Sequence, residues 1–242
     1  MPDISVVVPV RNEAGNIAPL VGEIARALSG RDFEIVYVND GSNDGSEAEL
    51  KQLMAAHSFL RQVRHAQSCG QSAAVVTGVG AARSPFVVTL DGDGQNDPAF
   101  IPKLLEKLEA SPKTGLVAGQ RVGRKSSGFK KLQSRVANGV RGAILRDGTR
   151  DSGCGLKAFR RDVFLRLPIF DGLHRFLPAL VRREGYDIGY VDVVDRERRH
   201  GVSNYGLWDR LWVGLLDLFG VWWLVRRRKR VPQISEVTSD AR

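Results

Sequence analysis

Along the first half of the chain, short runs of β-branched and other apolar residues alternate with segments whose apolar positions recur at helical spacing. This is the order of successive βα units. Ile4-Ser5-Val6-Val7-Val8 reads as a buried strand, with a helix expected from about Asn16 to Leu28. Phe33 to Val38 forms a second strand, and a helix from about Ser46 to Ala56 follows. Leu60 to Val63 is a short strand, and Ser72 to Ala82 a small-residue helix packed tightly on a sheet. Phe86 to Leu90 is the next strand, and Pro102 opens a helix that carries on to about Ala110.

Strands of this kind are apolar on both sides, so the pattern predicts an α/β fold with a mostly parallel sheet flanked by helices. Ligands of such sheets collect beyond the carboxyl ends of the strands. Three polar clusters stand there: Pro9-Val10-Arg11-Asn12-Glu13, Asn39-Asp40-Gly41-Ser42 and Asp91-Gly92-Asp93. They are expected to share one edge.

The second half is more basic and less regular. Gly123 to Lys131 reads as a mobile loop, Leu132 to Leu145 as a helix, and Asp151-Ser152-Gly153-Cys154-Gly155 as a tight turn. Leu207 to Val225 is rich in Leu, Val and Trp, and Arg226-Arg227-Arg228-Lys229-Arg230 follows at once. The pattern divides the chain into a main α/β unit over residues 1–203, a helix with a basic end over 204–230 and a disordered tail over 231–242.

At 242 residues the chain suits one sizeable domain with an appendage. A composition 43% hydrophobic and 26% charged excludes global disorder. The net charge of +9 points to a nucleic acid, an anionic membrane or a phosphorylated ligand. No nucleic-acid partner is expected, because the basic residues lack a recognised module and interleaved stacking aromatics. Cys69 and Cys154 have no metal-ligand spacing, and Met1-Pro2-Asp3 carries no positively charged leader before the apolar run. A reducing compartment, on the cytosolic side, is the expectation.

Asp91 and Asp93 flank Gly92 at a strand mouth. Two carboxylates there call for a counter-charge, which a hard divalent cation bridging to a diphosphate supplies. A plain turn is the alternative. An EF-hand loop is excluded, since Asn96 and Pro102 stand where Gly and a bidentate Glu are needed. Pro9 to Asn16 lacks the Gly-x-Gly-x-x-Gly of a dinucleotide oxidoreductase. Asp40 and Glu13 read as acceptors for a base or ribose, or as turn and cap residues. His57, His65 and His174 have no partner spacing and read as surface or satisfied core residues, and Cys154 as a packed thiol.

Taken in order, Val6-Val7-Val8-Pro9-Val10-Arg11-Asn12-Glu13, Val38-Asn39-Asp40-Gly41-Ser42-Asn43-Asp44-Gly45 and Val88-Thr89-Leu90-Asp91-Gly92-Asp93-Gly94-Gln95-Asn96-Asp97-Pro98 resemble the family 2 glycosyltransferases, in the dolichyl- or polyprenyl-phosphate sugar synthase branch. Gly119-Gln120-Arg121, Asp151-Ser152-Gly153 and Arg199-His200-Gly201-Val202-Ser203-Asn204-Tyr205 extend the likeness over about residues 4 to 225. The resemblance implies a GT-A fold, with residues 1–203 as the catalytic domain. It puts Pro9, Arg11 and Glu13 at the nucleotide and Asp40 beside the base or ribose. Asp91, Asp93 and Gln95 would hold Mg²⁺ or Mn²⁺ and the donor diphosphate. Arg121 and Arg135 would meet the acceptor phosphate, and Arg199 with Ser203 would close over the diphosphate. The chain departs from the family at Arg11 (usually Tyr), Asn39 (Asp), Gly92 (Ala) and Asn204 (Lys), and it has Ser68-Cys69-Gly70-Gln71-Ser72 where a Lys is typical.

The activity so implied is inverting transfer of a hexose-type sugar from a GDP- or UDP-sugar to a polyprenyl or dolichyl phosphate. A lipid phosphate is already an oxyanion, so attack needs no strong general base. The expected location is peripheral, on the cytosolic membrane face, with room for an integral-membrane partner. Asp209, Arg210 and Asp217 interrupt the apolar stretch after Leu207, so it reads as an interfacial amphipathic helix rather than a span. Arg210, Gly214 and Asp217 would line its polar side. The competing readings are a helix packed on the domain's own core, a transferase for a saccharide acceptor with Asp151 as base, and a catalytically silent scaffold.

Overall fold

The computed structural model describes residues 1–122, 139, 141–196 and 207–227. Its elements are β1 (Ile4–Val10), α1 (Ile17–Ala27), β2 (Phe33–Asp40), α2 (Ser46–Ala56), β3 (Leu60–His65), α3 (Gln71–Ala81), β4 (Phe86–Thr89) and α4 (Ile101–Glu109). They continue with β5 (Thr114–Arg121), β6 (Lys157–Arg160), α5 (Arg161–Phe164), α6 (Leu177–Arg183), β7 (Asp187–Val193) and α7 (Leu207–Arg226). Residues 141–145 are also helical.

Among the described residues, seven strands form one sheet in the order β3-β2-β1-β4-β6-β5-β7. All pairings are parallel except those of β6, which runs against β4 and β5. The expected mostly parallel α/β sheet is therefore present.

Alternation along β1 explains the layering. Val6 and Val8 pack with Ile17, Leu20 and Ile24 of α1 and with Leu104 and Leu108 of α4. Val7 points to the other face, with Val75 and Val79 of α3 and residues of α6 and α7. The small-residue helix α3 does lie close on the sheet: a Cβ on Gly78 would sit 2.3 Å from Val7 Cγ1.

Two strands run further than the apolar pattern suggests. β1 and β2 stay in register to the pairs Pro9↔Val38 and Val10↔Asn39. A proline is tolerated in this central strand because the ladder with β4 ends at Val7↔Thr89. Its missing N–H falls where no strand asks for one. The strands β5, β6 and β7 were not apparent from sequence. Glycines dilute β5, β6 has only four residues, and β7 alternates weakly.

Helix α7 forms where the apolar stretch predicts it, and no helix among the described residues is long and apolar enough to cross a membrane. Leu218 and Val221 are buried against α6 in the second core cluster. Arg183 of α6 donates to the carbonyls of Leu224 and Arg227, tying down the end of α7. Leu216, Phe219 and Trp223 point outward, 72%, 59% and 51% exposed. One face thus packs on the domain and another stays apolar and open. Asp217 is partly buried and lies next to Gly172.

Candidate active site

The parallel strands β1, β2, β4, β5 and β7 all end at one edge of the sheet, and the antiparallel β6 begins there. This topology gathers Asp91, Arg121, Lys157 and Asp195 from distant parts of the chain. A cavity of about 460 Å³ opens at the edge, lined by Pro9, Gln71, Asp91, Gly155, Lys157 and His174 among others.

The Asp91 loop is held from several sides. Asn96 Oδ1 accepts from the Asp91 N–H at 3.0 Å, and Gln71 Nε2 donates to Asp91 Oδ1 at 2.8 Å. Asp93 is buried, and its Oδ1 accepts from the Gln95 N–H at 3.1 Å. Gly155 lies against Asp91: a Cβ there would lie 2.3 Å from Asp91 Oδ2 and push the carboxylate aside. Burial, and then the neighbouring charge of Asp93, push the Asp91 carboxyl up to about 6; Lys157 and Arg121 pull the other way.

A divalent cation fits these residues. The donors are hard oxygens, suited to Mg²⁺ or Mn²⁺. The two carboxylates lie close enough for the charge of Asp93 to help raise the pKa of Asp91. Asp195 Oδ1 is a buried acceptor with no partner among the described residues.

Lys157 is buried, and its ammonium donates to the Cys154 carbonyl. Burial lowers its pKa, while Asp91 and Cys154 support the charge. His174 is pushed down to about 3, first by burial and then by Lys157 and Arg175, so it is neutral. Ser72 Oγ accepts from the Gly172 N–H and lies 2.7 Å from His174 Nδ1.

The loops after β1 and β2 are stitched together. The N–H groups of Asn12, Glu13 and Ala14 donate to Ser42, Ser46 and Asp44, and Glu49 accepts from Gly15 and Ala18. Glu13 accepts from Asn16 Nδ2 at 2.7 Å, and Arg11 is exposed.

Asp40 is engaged within the chain. It is 4% exposed, and its oxygens face His65 Nδ1 and the N–H of Cys69, and Ser68 Oγ and the N–H of Gly70. Burial alone would raise its pKa, but these donors hold it below the usual range. The four acceptor positions a carboxylate offers are filled from within the chain. The carboxylate braces the loop at residues 68–70, and a base or ribose would have to displace one of these partners. His65 also lies 2.9 Å from Thr77 Oγ1, so it is a satisfied, partly buried residue.

Arg121 is likewise engaged within the chain. Its guanidinium pairs with both oxygens of Asp151 and with Asp195 Oδ2 at 3.2 Å. An acceptor phosphate would have to compete with these carboxylates for the guanidinium. Burial would raise Asp151, yet the hydrogen bonds and charge of Arg121 hold it low. Cys154 is a buried thiol raised to about 11 by burial.

Pro9 and Asp91 line the cavity together, with Asp93 and Gln95 on the same loop as Asp91. Arg135, Arg199 and Ser203, the loop at 124–131 and the tail from 231 lie outside the described residues. Gln71, Lys157, His174 and Asp195 were not foreseen as site residues. The one available signal was Lys157, a lone charge within the apolar run Leu156 to Phe159.

A family model described as Glycosyl transferase family 2 matches residues 5–167. Dodecaprenyl-phosphate galacturonate synthase of Rhizobium johnstonii is 34% identical over 234 residues, covering 94% of this chain and 69% of that protein. Undecaprenyl-phosphate 4-deoxy-4-formamido-L-arabinose transferase of Aeromonas hydrophila is 32% identical over 207 residues, covering 84% of this chain and 63% of the other. Among solved structures, a mannosyltransferase of Pyrobaculum calidifontis with GDP-Man and Mn²⁺ aligns with a TM-score of 0.68 at 23% identity, over 96% of this chain and 66% of that one. Glucosyl-3-phosphoglycerate synthase of Mycobacterium tuberculosis, with Mn²⁺, UDP-glucose and glycerol 3-phosphate, aligns with a TM-score of 0.67 at 22% identity, over 94% and 80%. The sheet and these neighbours are those of the GT-A fold.

Proposed function

The chain belongs to glycosyl transferase family 2, and from that membership we propose that it moves a glycosyl unit from a nucleotide-sugar onto a polyprenyl or dolichyl phosphate at a membrane surface. The observation that carries the proposal is the Asp91-Gly92-Asp93 loop beside the end of β1, where Asp91 lines the cavity and the neighbouring charge of Asp93 adds to burial in raising its pKa. Relatives named for dodecaprenyl and undecaprenyl phosphate support the acceptor class. Their names include a galacturonate and a formamido-arabinose, so the donor sugar is not restricted to a simple hexose.

In this reading Asp91, Asp93 and Gln95 hold Mg²⁺ or Mn²⁺, which when bound neutralises the diphosphate of the donor. Pro9, Arg11 and Glu13 border the nucleotide, and Lys157 lines the cavity beside Asp91. The acceptor phosphate oxygen forms a bond to the anomeric carbon as the bond to the diphosphate oxygen breaks, with inversion. Arg135, Arg199 and Ser203 keep the roles that the family resemblance implies. Arg121 takes part either through its pair with Asp151 or after exchanging that partner for phosphate.

A saccharide acceptor would need a carboxylate base at the hydroxyl. Asp151 is poorly placed for this, because Arg121 holds its pKa low and occupies both oxygens. The exposed stripe Leu216, Phe219 and Trp223, beside Arg226 and Arg227, supports peripheral attachment to a membrane. A silent scaffold would have no use for the paired carboxylates.

The test is transfer from a panel of nucleotide-sugars to a short polyprenyl phosphate with Mg²⁺ or Mn²⁺. The expected result is a metal-dependent polyprenyl-phosphate sugar. Transfer only to saccharides, or from no donor, contradicts the proposal.

A further inference from the structure

A second cavity, of about 720 Å³, lies away from the Asp91 edge, between α6, α7 and the helical residues 141–145. It shares no lining residue with the cavity at Asp91. Helix α6 touches both, with Leu177 at the first and Arg182 and Arg183 at the second.

The chemistry of this groove is two-sided. Ile144, Leu145, Trp222 and Val225 give it apolar walls, and Arg146, Arg182, Arg183 and Arg226 give it four guanidiniums. No carboxylate is among its described lining residues. Glu184 pairs with Arg183. The charge left over sits on Arg146, Arg182 and Arg226. Arg182 donates to the Arg146 carbonyl, which keeps it at the rim without cancelling its charge. The Arg226 guanidinium lies 4.1 Å from the centre of the Trp222 ring, so it is held over an aromatic face.

Position along α7 connects the groove to the open apolar stripe. Leu216, Phe219 and Trp223 recur at helical spacing and point outward. Trp222 and Arg226 are one step round the helix and face the groove. A membrane met by the stripe would therefore bring its headgroups to the mouth of the groove. The charge on Arg146, Arg182 and Arg226 beside apolar walls matches an amphiphile with an anionic phosphate head.

We propose that the groove between α6, α7 and residues 141–145 binds the phosphate headgroup of an anionic phospholipid, with its acyl chains along the Leu216–Phe219–Trp223 stripe. The groove is separate from the cavity at Asp91. It rests on the membrane reading above, and it orients the protein on the bilayer through one end of α7.

The test is flotation of the full chain with phosphatidylcholine vesicles, with and without phosphatidylglycerol. The parent should bind the anionic vesicles much more tightly. The double variant Arg146→Gln with Arg182→Gln should lose that preference by roughly thirtyfold, two surface cations' worth. It should keep its melting temperature and its rate of donor hydrolysis. Inorganic phosphate at millimolar levels should leave vesicle binding intact. Equal binding of both vesicle types by the parent, an unchanged double variant, or displacement by free phosphate overturns the headgroup site while leaving peripheral attachment standing. No binding to any vesicle overturns the membrane reading along with it.

Discussion

Arg121 and Asp151, thirty residues apart in the chain, meet in a two-point ion pair, Nε to Oδ2 at 2.5 Å and Nη2 to Oδ1 at 2.8 Å. The pair answers two questions about the site together. Asp151 is held ionised and poorly basic, and Arg121 is held in one orientation beside the cavity.

Replacing Asp151 by Asn tests this directly. It removes one partner of a partly buried pair, with an expected loss of about 2 kcal/mol of stability. The acidic limb of the pH–rate profile should not move. Loss of that limb would make Asp151 a general base and favour a hydroxyl acceptor.

Asp91 carries a pH signature. Burial and the charge of Asp93 push its carboxyl up to about 6, above the ordinary aspartate value of 3.8. Folding therefore favours its protonated form, and the cost of ionising it develops as pH rises from about 4 through 6. Asp91→Asn should stabilise the metal-free protein by about 1–3 kcal/mol at pH 7.5, and by less as pH falls toward 4, while abolishing transfer. Melting curves across that range check the sign. Metal binding by the parent should weaken below about pH 6, because the ligand must be deprotonated.

Arg141 and Asp147 form a second buried pair, in which both guanidinium Nη atoms donate to the carboxylate and Asp147 also accepts from the Thr149 N–H. Asp147→Ala leaves a buried guanidinium without its counter-charge. Urea unfolding should show a loss of about 3–5 kcal/mol.

The outward face of α7 should matter for membranes and not for folding. Changing Leu216, Phe219 and Trp223 together to Ser is expected to abolish vesicle binding and leave the melting temperature within a degree or two. A large drop in melting temperature would instead mean that the stripe is covered within the folded chain.

Much of the fold was legible because the first half follows simple rules. Apolar runs such as Ile4–Val8 and Phe86–Leu90 are buried on both faces, and each ends in the polar residues that form the site. The second half resisted because β5 carries Gly115 and Gly119 and because β6 reverses direction, which no local pattern announces. Asp91 and Asp93 were identifiable by type and spacing. The partners of Asp40 and Arg121 were not, since Ser68 to Gly70 and Asp151 reach them only through the fold. Lys157 shows the same limit: a lysine between apolar neighbours signals burial without saying what it faces.

In the proposed function Asp91 and Asp93 hold the cation that makes donor binding favourable. The direct measurement is a thermal-shift titration of nucleotide-sugars with and without Mn²⁺, on the parent chain and on Asp93→Ala. The account predicts a donor-dependent rise in melting temperature that requires Mn²⁺ in the parent and is absent in the variant, whose own fold is intact. A variant that responds to Mn²⁺ and donor as the parent does would place the cation elsewhere and contradict the account.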